Sequence, residues 1–303
     1  MKELSQLPTE ARNPATESLD GLSTLELTKA MHHADWEAVA AVEKELPRIA
    51  GAIDAIVARL EHGGRLFYLG AGTSGRLGVL DASECPPTYN TPPEMVQGLI
   101  AGGDIALRRS VERAEDDEAQ GQRDLEKHGF SGKDVLVGIA ASGRTPYVLG
   151  GVRYGRGLET LTIGLSCVPG SLLEGAAELA ITPATGPEVV TGSTRMKAGT
   201  ATKLVLNMLS TGTMVRLGYV FGNLMVNVQP RNVKLRDRAA RIVAMVTGLD
   251  YEDAVALLER AGSVKAAIVM EKLGASREEA EKRLKAARGR LRHALEAYPA
   301  SQS

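Results

Sequence analysis

The stretch RLFYLGAGTSGRLG, residues 65–78, decides the fold. Its first half is a short apolar run ending in glycine, the pattern of a strand covered on both faces. Its second half is a turn of small residues that opens a helix. KDVLVGIAASG (133–143) repeats this pattern, and TLTIGLSCV (160–168) and AELAITPAT (177–185) supply two further strands. Helical stretches are expected between them at 107–127, 145–157 and 171–176. Strands alternating with helices predict an α/β domain with a mainly parallel sheet.

Residues 1–20, rich in Pro, Asn, Thr and Glu, read as an extended arm. Residues 24–61 read as helices, with Ile49, Ile53, Ile56 and Leu60 recurring every three or four positions until Gly63 and Gly64. Residues 193–218 form one long helix, apolar on most sides, suited to packing on a sheet or a second subunit. Residues 236–298 read as an all-helical segment. Asp250 with Asp253 and Ser276 with Glu279 have the spacing of helix N-caps, the second pair as a capping box.

Composition narrows the function classes. The 303 residues are 44% hydrophobic and 24% charged, with a formal net charge of −1. That balance suits a soluble globular chain and gives no general attraction to nucleic acid. The late basic run KRLKAARGRLRH (282–293) shares its helix with Glu278, Glu279 and Glu281, as a solvated face does. No run approaches the roughly 20 apolar residues of a membrane helix. MKELSQLPTEARNP has no apolar signal core, so a cytoplasmic location is expected. Cys85 and Cys167 are too few for a disulfide framework. The five histidines show no metal-ligand spacing, and no CxxC or HExxH occurs, so no metal is expected.

Three junctions are rich in Gly, Ser and Thr: GAGTSGRLG (70–78), ASGRTP (141–146) and TGSTRMKAGT (191–200). Small residues let backbone N–H groups approach an anion, hydroxyls add donors, and a helix N-terminus adds a favourable dipole. Gly70, Gly72 and Gly75 also match G-x-G-x-x-G, a weak dinucleotide signal by itself. The acid expected at the tip of a second strand is missing, because that region reads as the Pro-rich loop 86–93. Three hydroxyl-rich loops suit a compact phosphate monoester better than a pyrophosphate.

Two carboxylates stand out. Glu84 lies ten residues after Ser74, and Pro86 disfavours helix at Cys85, so the helix is expected to end near Glu84. A stiff turn would then hold Glu84 near the phosphate; the alternative is a surface glutamate at a helix end. Leu107, Val111 and Glu115 recur at i, i+4 and i+8, which puts Glu115 on the inward stripe of the expected helix, either paired or catalytic. Two carboxylates in different surroundings can divide acid and base roles, as proton abstraction beside a carbonyl requires.

LGAGTSGRLGVLDASECPPTY, VERAEDD, IAASGRTPYV and TGSTRMKAGTATKLVLNMLSTGTMVRLG together resemble the N-acetylmuramic acid 6-phosphate etherases. EARNPATESLD, GNLMVNVQPRNVKLRDRA (222–239) and AGSVKAAIVM (261–270) extend the resemblance over nearly the whole chain. It implies a sugar-isomerase (SIS) fold, a flavodoxin-like three-layer α/β sandwich, with an N-terminal arm and helices at 1–57, the SIS domain at 58–221, and a linker with a helical domain at 222–303. It implies a homodimer that uses a small-molecule sugar phosphate, with no cofactor, nucleic acid or membrane partner. The reaction implied is loss of D-lactate from N-acetylmuramic acid 6-phosphate by β-elimination, then water addition to give N-acetylglucosamine 6-phosphate. Carried onto this sequence, the family's acid is Glu84 and its second catalytic glutamate, the base at C2, is Glu115. For the phosphate, loop chemistry and the resemblance favour Ser74, Ser142, Thr145, Ser193 and Thr194, with Thr73, Gly143 and Arg144 in support. Arg195 or Lys197 is left for the phosphate or the lactyl carboxylate.

Other readings use the same fold. A sugar-phosphate isomerase shares the C2 proton abstraction but releases no lactate. A non-catalytic sugar-phosphate sensor, as in the related glucokinase regulatory protein, could lose either glutamate, and this chain keeps both. A SIS transcription regulator would need a DNA-binding domain, and the segment before residue 60 is short and not basic.

Overall fold

The computed structural model describes residues 8–228 and 233–296. Residues 229–232, within the GNLMVNVQPRNVKLRDRA stretch, and the end of the expected 236–298 helical segment lie outside the described residues. The chain divides into two compact units, one of residues 1–84 with 93–210, the other of 85–92 with 211–303.

The first unit holds five strands: β1 (Leu66–Gly70), β2 (Val96–Ile100), β3 (Val135–Ile139), β4 (Leu161–Leu165) and β5 (Leu179–Ile181). All pair in parallel, in the order β2-β1-β3-β4-β5. This is the flavodoxin-like order, and its topological switch point lies between β1 and β3. β1, β3 and β4 are buried along their whole length, as their unbroken apolar runs require.

The helices of this unit are α1 (Thr24–Glu43), α2 (Leu46–Leu60), α3 (Gly72–Tyr89) as far as Glu84, α4 (Glu118–Lys127), α5 (Pro146–Gly157) and α6 (Leu172–Ala176); α7 (Lys197–Arg216) begins in it. One sheet face buries Phe67, Leu69 and Leu136 against Leu125 of α4, Tyr147, Val148 and Val152 of α5, and Leu173 of α6. α4 and α5 pack backbone to backbone: a Cβ on Gly121 would strike the Tyr147 carbonyl, and one on Gly150 the Glu118 carbonyl. The other face carries α3, whose Gly78 lies against Tyr68 and Ile139. Asp81 of α3 ties that layer together. It accepts hydrogen bonds from Tyr68 Oη (2.9 Å), Asn207 Nδ2 (3.0 Å) and Ser210 Oγ (3.1 Å). Burial raises the pKa of its carboxyl. Helices on both faces of a parallel sheet make the three-layer sandwich.

Three elements differ from the sequence reading. The sequence reading has no strand at 96–100, where Gln97 and Gly98 interrupt the apolar pattern of β2. Gly98 is required there, since a Cβ would fall 2.5 Å from Val79 Cα. β2 is followed by Ala101, Gly102 and Gly103, so no acid stands at its tip. α3 does not end near Glu84 but runs on through Pro86 and Pro87 to Tyr89, where Asn90 turns left-handed at φ 53°. Buried Cys85 and Tyr89 hold that last stretch, and Tyr89 Oη pairs with Thr211 Oγ1 at 3.3 Å. The expected helix 107–127 is instead two short 3-10 turns, Asp104–Leu107 and Ala114–Asp116, followed by α4.

The second unit is helical, with α8 (Val233–Thr247), α9 (Tyr251–Ala261), α10 (Val264–Leu273), α11 (Arg277–Ala286) and α12 (Leu291–Glu296) around a core that includes Val243, Leu257, Ile268 and Leu291. Ser276 Oγ accepts the Glu279 N–H, while Glu279 itself pairs with Arg283, so only half of the expected box forms. Asp250 occupies the N-cap of α9 without a side-chain hydrogen bond. Among the described residues, no helix is long and apolar enough to cross a membrane, and no cluster of His, Cys, Asp or Glu could hold a metal.

Candidate functional site

A cavity of about 210 Å³ opens where β1 and β3 end. Open α/β sheets place ligands at this switch point. Thr73 and Ser74 line it from the first turn of α3; Ser142 and Thr145 line it from the β3–α5 turn; Thr194, Gly199 and Thr202 line it from the start of α7. Glu115 joins them from its 3-10 turn, and Glu10 from the N-terminal arm.

The local sequence explains each placement. Gly75 is needed because a Cβ there would lie 2.7 Å from the Gly70 carbonyl oxygen and 2.6 Å from Ile100 Cγ1. That close approach seats the N-terminus of α3 on the end of β1. The first intrahelical bond is Gly75 N–H to Ala71 O (3.1 Å), so the earlier N–H groups of α3 point outward as donors. Gly143 has φ +67°, and a Cβ would collide with Ser171. Its role is to shape the turn between Ser142 and Thr145. Thr145 is the N-cap of α5 and makes no side-chain cap bond, which leaves its hydroxyl for the cavity. The hydroxyls of Thr73, Ser74, Ser142, Thr145 and Thr194 have no protein hydrogen-bond partner among the described residues.

Glu115 reaches the cavity by a route the spacing did not show. Arg113 adopts the left-handed region at φ +61°, which breaks the helical path and turns Glu115 outward on an exposed 3-10 turn. Its carboxylate has no hydrogen-bond or ion-pair partner among the described residues. A second cavity of about 220 Å³ shares Ala71, Gly72 and Glu115 with the first and is lined in addition by Arg76 and Arg113. Arg76 spends Nε and Nη2 on the carbonyls of Leu107 (3.2 Å) and Ala106 (2.7 Å). No Lys or Arg lines the first cavity, so an anion there draws on backbone donors and hydroxyls, beside the carboxylates of Glu10 and Glu115.

The remaining expected residues lie elsewhere. Glu84 is exposed on α3, ten residues and so about 15 Å of helix from Ser74, and it does not line the cavity. Arg144, Ser193 and Arg195 flank the cavity without lining it. Lys197 is 1% exposed, its ammonium bonds Glu37 at 2.7 Å, and it does not line the cavity. The N-terminus of α7 is likewise occupied: buried Glu188 accepts the N–H groups of Lys197 (2.9 Å) and Ala198 (3.0 Å). Glu188 carries no signal because it meets its partners only in the folded chain, and Glu10 because only the folded arm brings it to the cavity.

Residues 48–156 match the family described as the glucokinase regulatory protein N-terminal SIS domain. The chain is 52% identical over 301 residues to an N-acetylmuramic acid 6-phosphate etherase of Rhizobium rhizogenes, covering 99% of this chain and 98% of that one. It is 55% identical over 293 residues to the etherase of Serratia proteamaculans, covering 96% and 99%. The chain belongs to the N-acetylmuramic acid 6-phosphate etherase family. Among solved structures, the phosphoheptose isomerase of Neisseria gonorrhoeae superposes with a TM-score of 0.50 at 16% identity, covering 64% of this chain and 100% of that one. At that identity the likeness concerns the SIS fold.

Proposed function

We propose that this protein is a carbon–oxygen lyase that removes D-lactate from N-acetylmuramic acid 6-phosphate and leaves N-acetylglucosamine 6-phosphate. The observation that carries the reading is the free Glu115 carboxylate opening on a cavity of unpartnered hydroxyls at the β1/β3 switch point. The phosphate is held by Ser74, Ser142, Thr145 and Thr194 and by the outward N–H groups at the start of α3, with Thr73 and Ser193 beside them. Gly143 and Arg144 support this by shaping and flanking the loop.

The chemistry follows from the substrate. A simple alkyl ether is a poor leaving group. Opening the sugar to its C1 aldehyde makes the C2 proton acidic, and the ether oxygen on C3 is then β to the developing carbanion. Glu115 takes the C2 proton, an acid protonates the ether oxygen as the C3–O bond breaks, and lactate departs. Water adds at C3 of the unsaturated aldehyde, its proton passing back to the protein, and C2 is reprotonated. Glu84 is the acid in this reading. It lies outside the cavity of its own chain, so it is supplied by a second copy, and the working unit is a homodimer. Arg76 and Arg113 in the adjoining cavity give the lactyl carboxylate a positive environment. The reaction belongs to cytoplasmic use of cell-wall sugar.

The test is D-lactate release from N-acetylmuramic acid 6-phosphate in ¹⁸O-water. The expected result is lactate together with ¹⁸O at C3 of the sugar product. Binding without lactate would move the reading to a sensor or an isomerase.

A further inference from the structure

We infer that Glu10 is a substrate-contact residue, whose carboxylate accepts hydrogen bonds from the hydroxyl or N–H groups of the sugar. The inference rests on the sugar-phosphate reading of the cavity above. Glu10 lines the same cavity as Glu115, yet it comes from the N-terminal arm, sixty positions before the nearest phosphate loop.

The arm is fixed on both sides of it. Thr9 is 1% exposed. Downstream, Asn13 Oδ1 accepts the Ala15 N–H at 3.0 Å, and Thr16 Oγ1 donates to the Val189 carbonyl at 2.9 Å. Val189 is itself buried and follows Glu188, which caps α7. The arm is therefore tied to the segment that leads into Thr194. Gly192, at φ +74°, leaves room for the carboxylate, since a Cβ there would lie 3.3 Å from Glu10 Oε2. Glu10 has no hydrogen-bond or ion-pair partner among the described residues.

The chemistry of the group selects its ligand. An ionised carboxylate only accepts hydrogen bonds. A phosphate dianion offers it no donor and repels it, while sugar hydroxyls and an amide N–H are donors. In a cavity without a lining cation, Glu10 then favours a phosphate that carries a sugar over phosphate alone.

The two ligands make the test. Full-length parent, Glu10→Ala and Glu10→Gln proteins with matched melting temperatures are titrated with N-acetylglucosamine 6-phosphate and with inorganic phosphate. Both variants should lose about tenfold or more in affinity for the sugar phosphate, as expected for a hydrogen bond to a charged group. Their affinity for phosphate should stay level or rise. Equal weakening of both ligands would make the arm a structural prop, and no change in either would leave Glu10 facing solvent; each result overturns the inference. Lactate release from the parent is recorded in parallel. A parent that releases lactate without the affinity split refutes the inference alone. A parent that shows the split but releases no lactate refutes the etherase reading alone.

Discussion

The two ends of α3 present different groups. At its start, Gly72, Thr73 and Ser74 present free N–H and hydroxyl groups to a cavity at the sheet edge. At its far end, Glu84 stands exposed, two residues before a Pro–Pro step that lies inside the helix. A single rigid helix cannot bring both ends to one substrate. If Glu84 is the acid, as proposed, a binding end and an acid-bearing end on the same helix call for two copies of the chain.

The largest expected effect separates chemistry from binding. Glu115→Gln and Glu84→Gln should each cut lactate release by about 10² to 10⁴-fold, the usual contribution of a general acid or base. Binding of N-acetylglucosamine 6-phosphate by calorimetry should change only a few-fold. If Glu84→Gln retains the parent rate, the far end of α3 has no part in the reaction.

Changes at the binding end should do the reverse. Ser142→Ala should weaken inorganic phosphate and the sugar phosphate together, by about tenfold, through loss of one charge-assisted hydrogen bond. Gly75→Ala forces a methyl against the Gly70 carbonyl and Ile100. It should lower stability by about 1–3 kcal/mol in a denaturant titration and shift Ser74 enough to weaken phosphate as well. Normal phosphate binding in Gly75→Ala would mean that the seat of α3 on β1 does not set the site.

The smallest effect belongs to a control in the helical unit. Lys265 donates to the carbonyls of Gly218 (2.9 Å) and Gly289 (2.8 Å), and burial holds its pKa down at about 8, against an ordinary value of 10.5. Between those values the unfolded chain binds a proton that the folded chain has released, so this group makes stability rise as pH increases from about 8 to about 10.5. Lys265→Met should reduce that rise and leave the phosphate affinity unchanged.

The cavity was legible in the sequence where the code is local. RLFYLGAGTSG shows a buried strand meeting a helix N-terminus through small residues, and IAASGRTP repeats it. β2 was missed because Gly98 answers to the backbone of Val79, a partner nineteen positions away. The end of α3 was misplaced because the rule that proline stops a helix yielded to the burial of Cys85 and Tyr89. Glu115 was singled out on a helical stripe that does not exist; Leu107 and Val111 imitate the period, and Arg113 breaks it. Glu10 carried no local signal, since only the docking of the arm brings it to the loops.

The most direct measurement mixes two inactive proteins. Glu84→Gln and Glu115→Gln dimers are exchanged to equilibrium and assayed for D-lactate. If Glu84 serves the cavity of a second copy, half of the dimers are mixed, each has one intact site, and about a quarter of the parent activity returns. If the mixture stays as inactive as its parts while exchange is shown to occur, the two carboxylates do not meet between copies and the account is wrong.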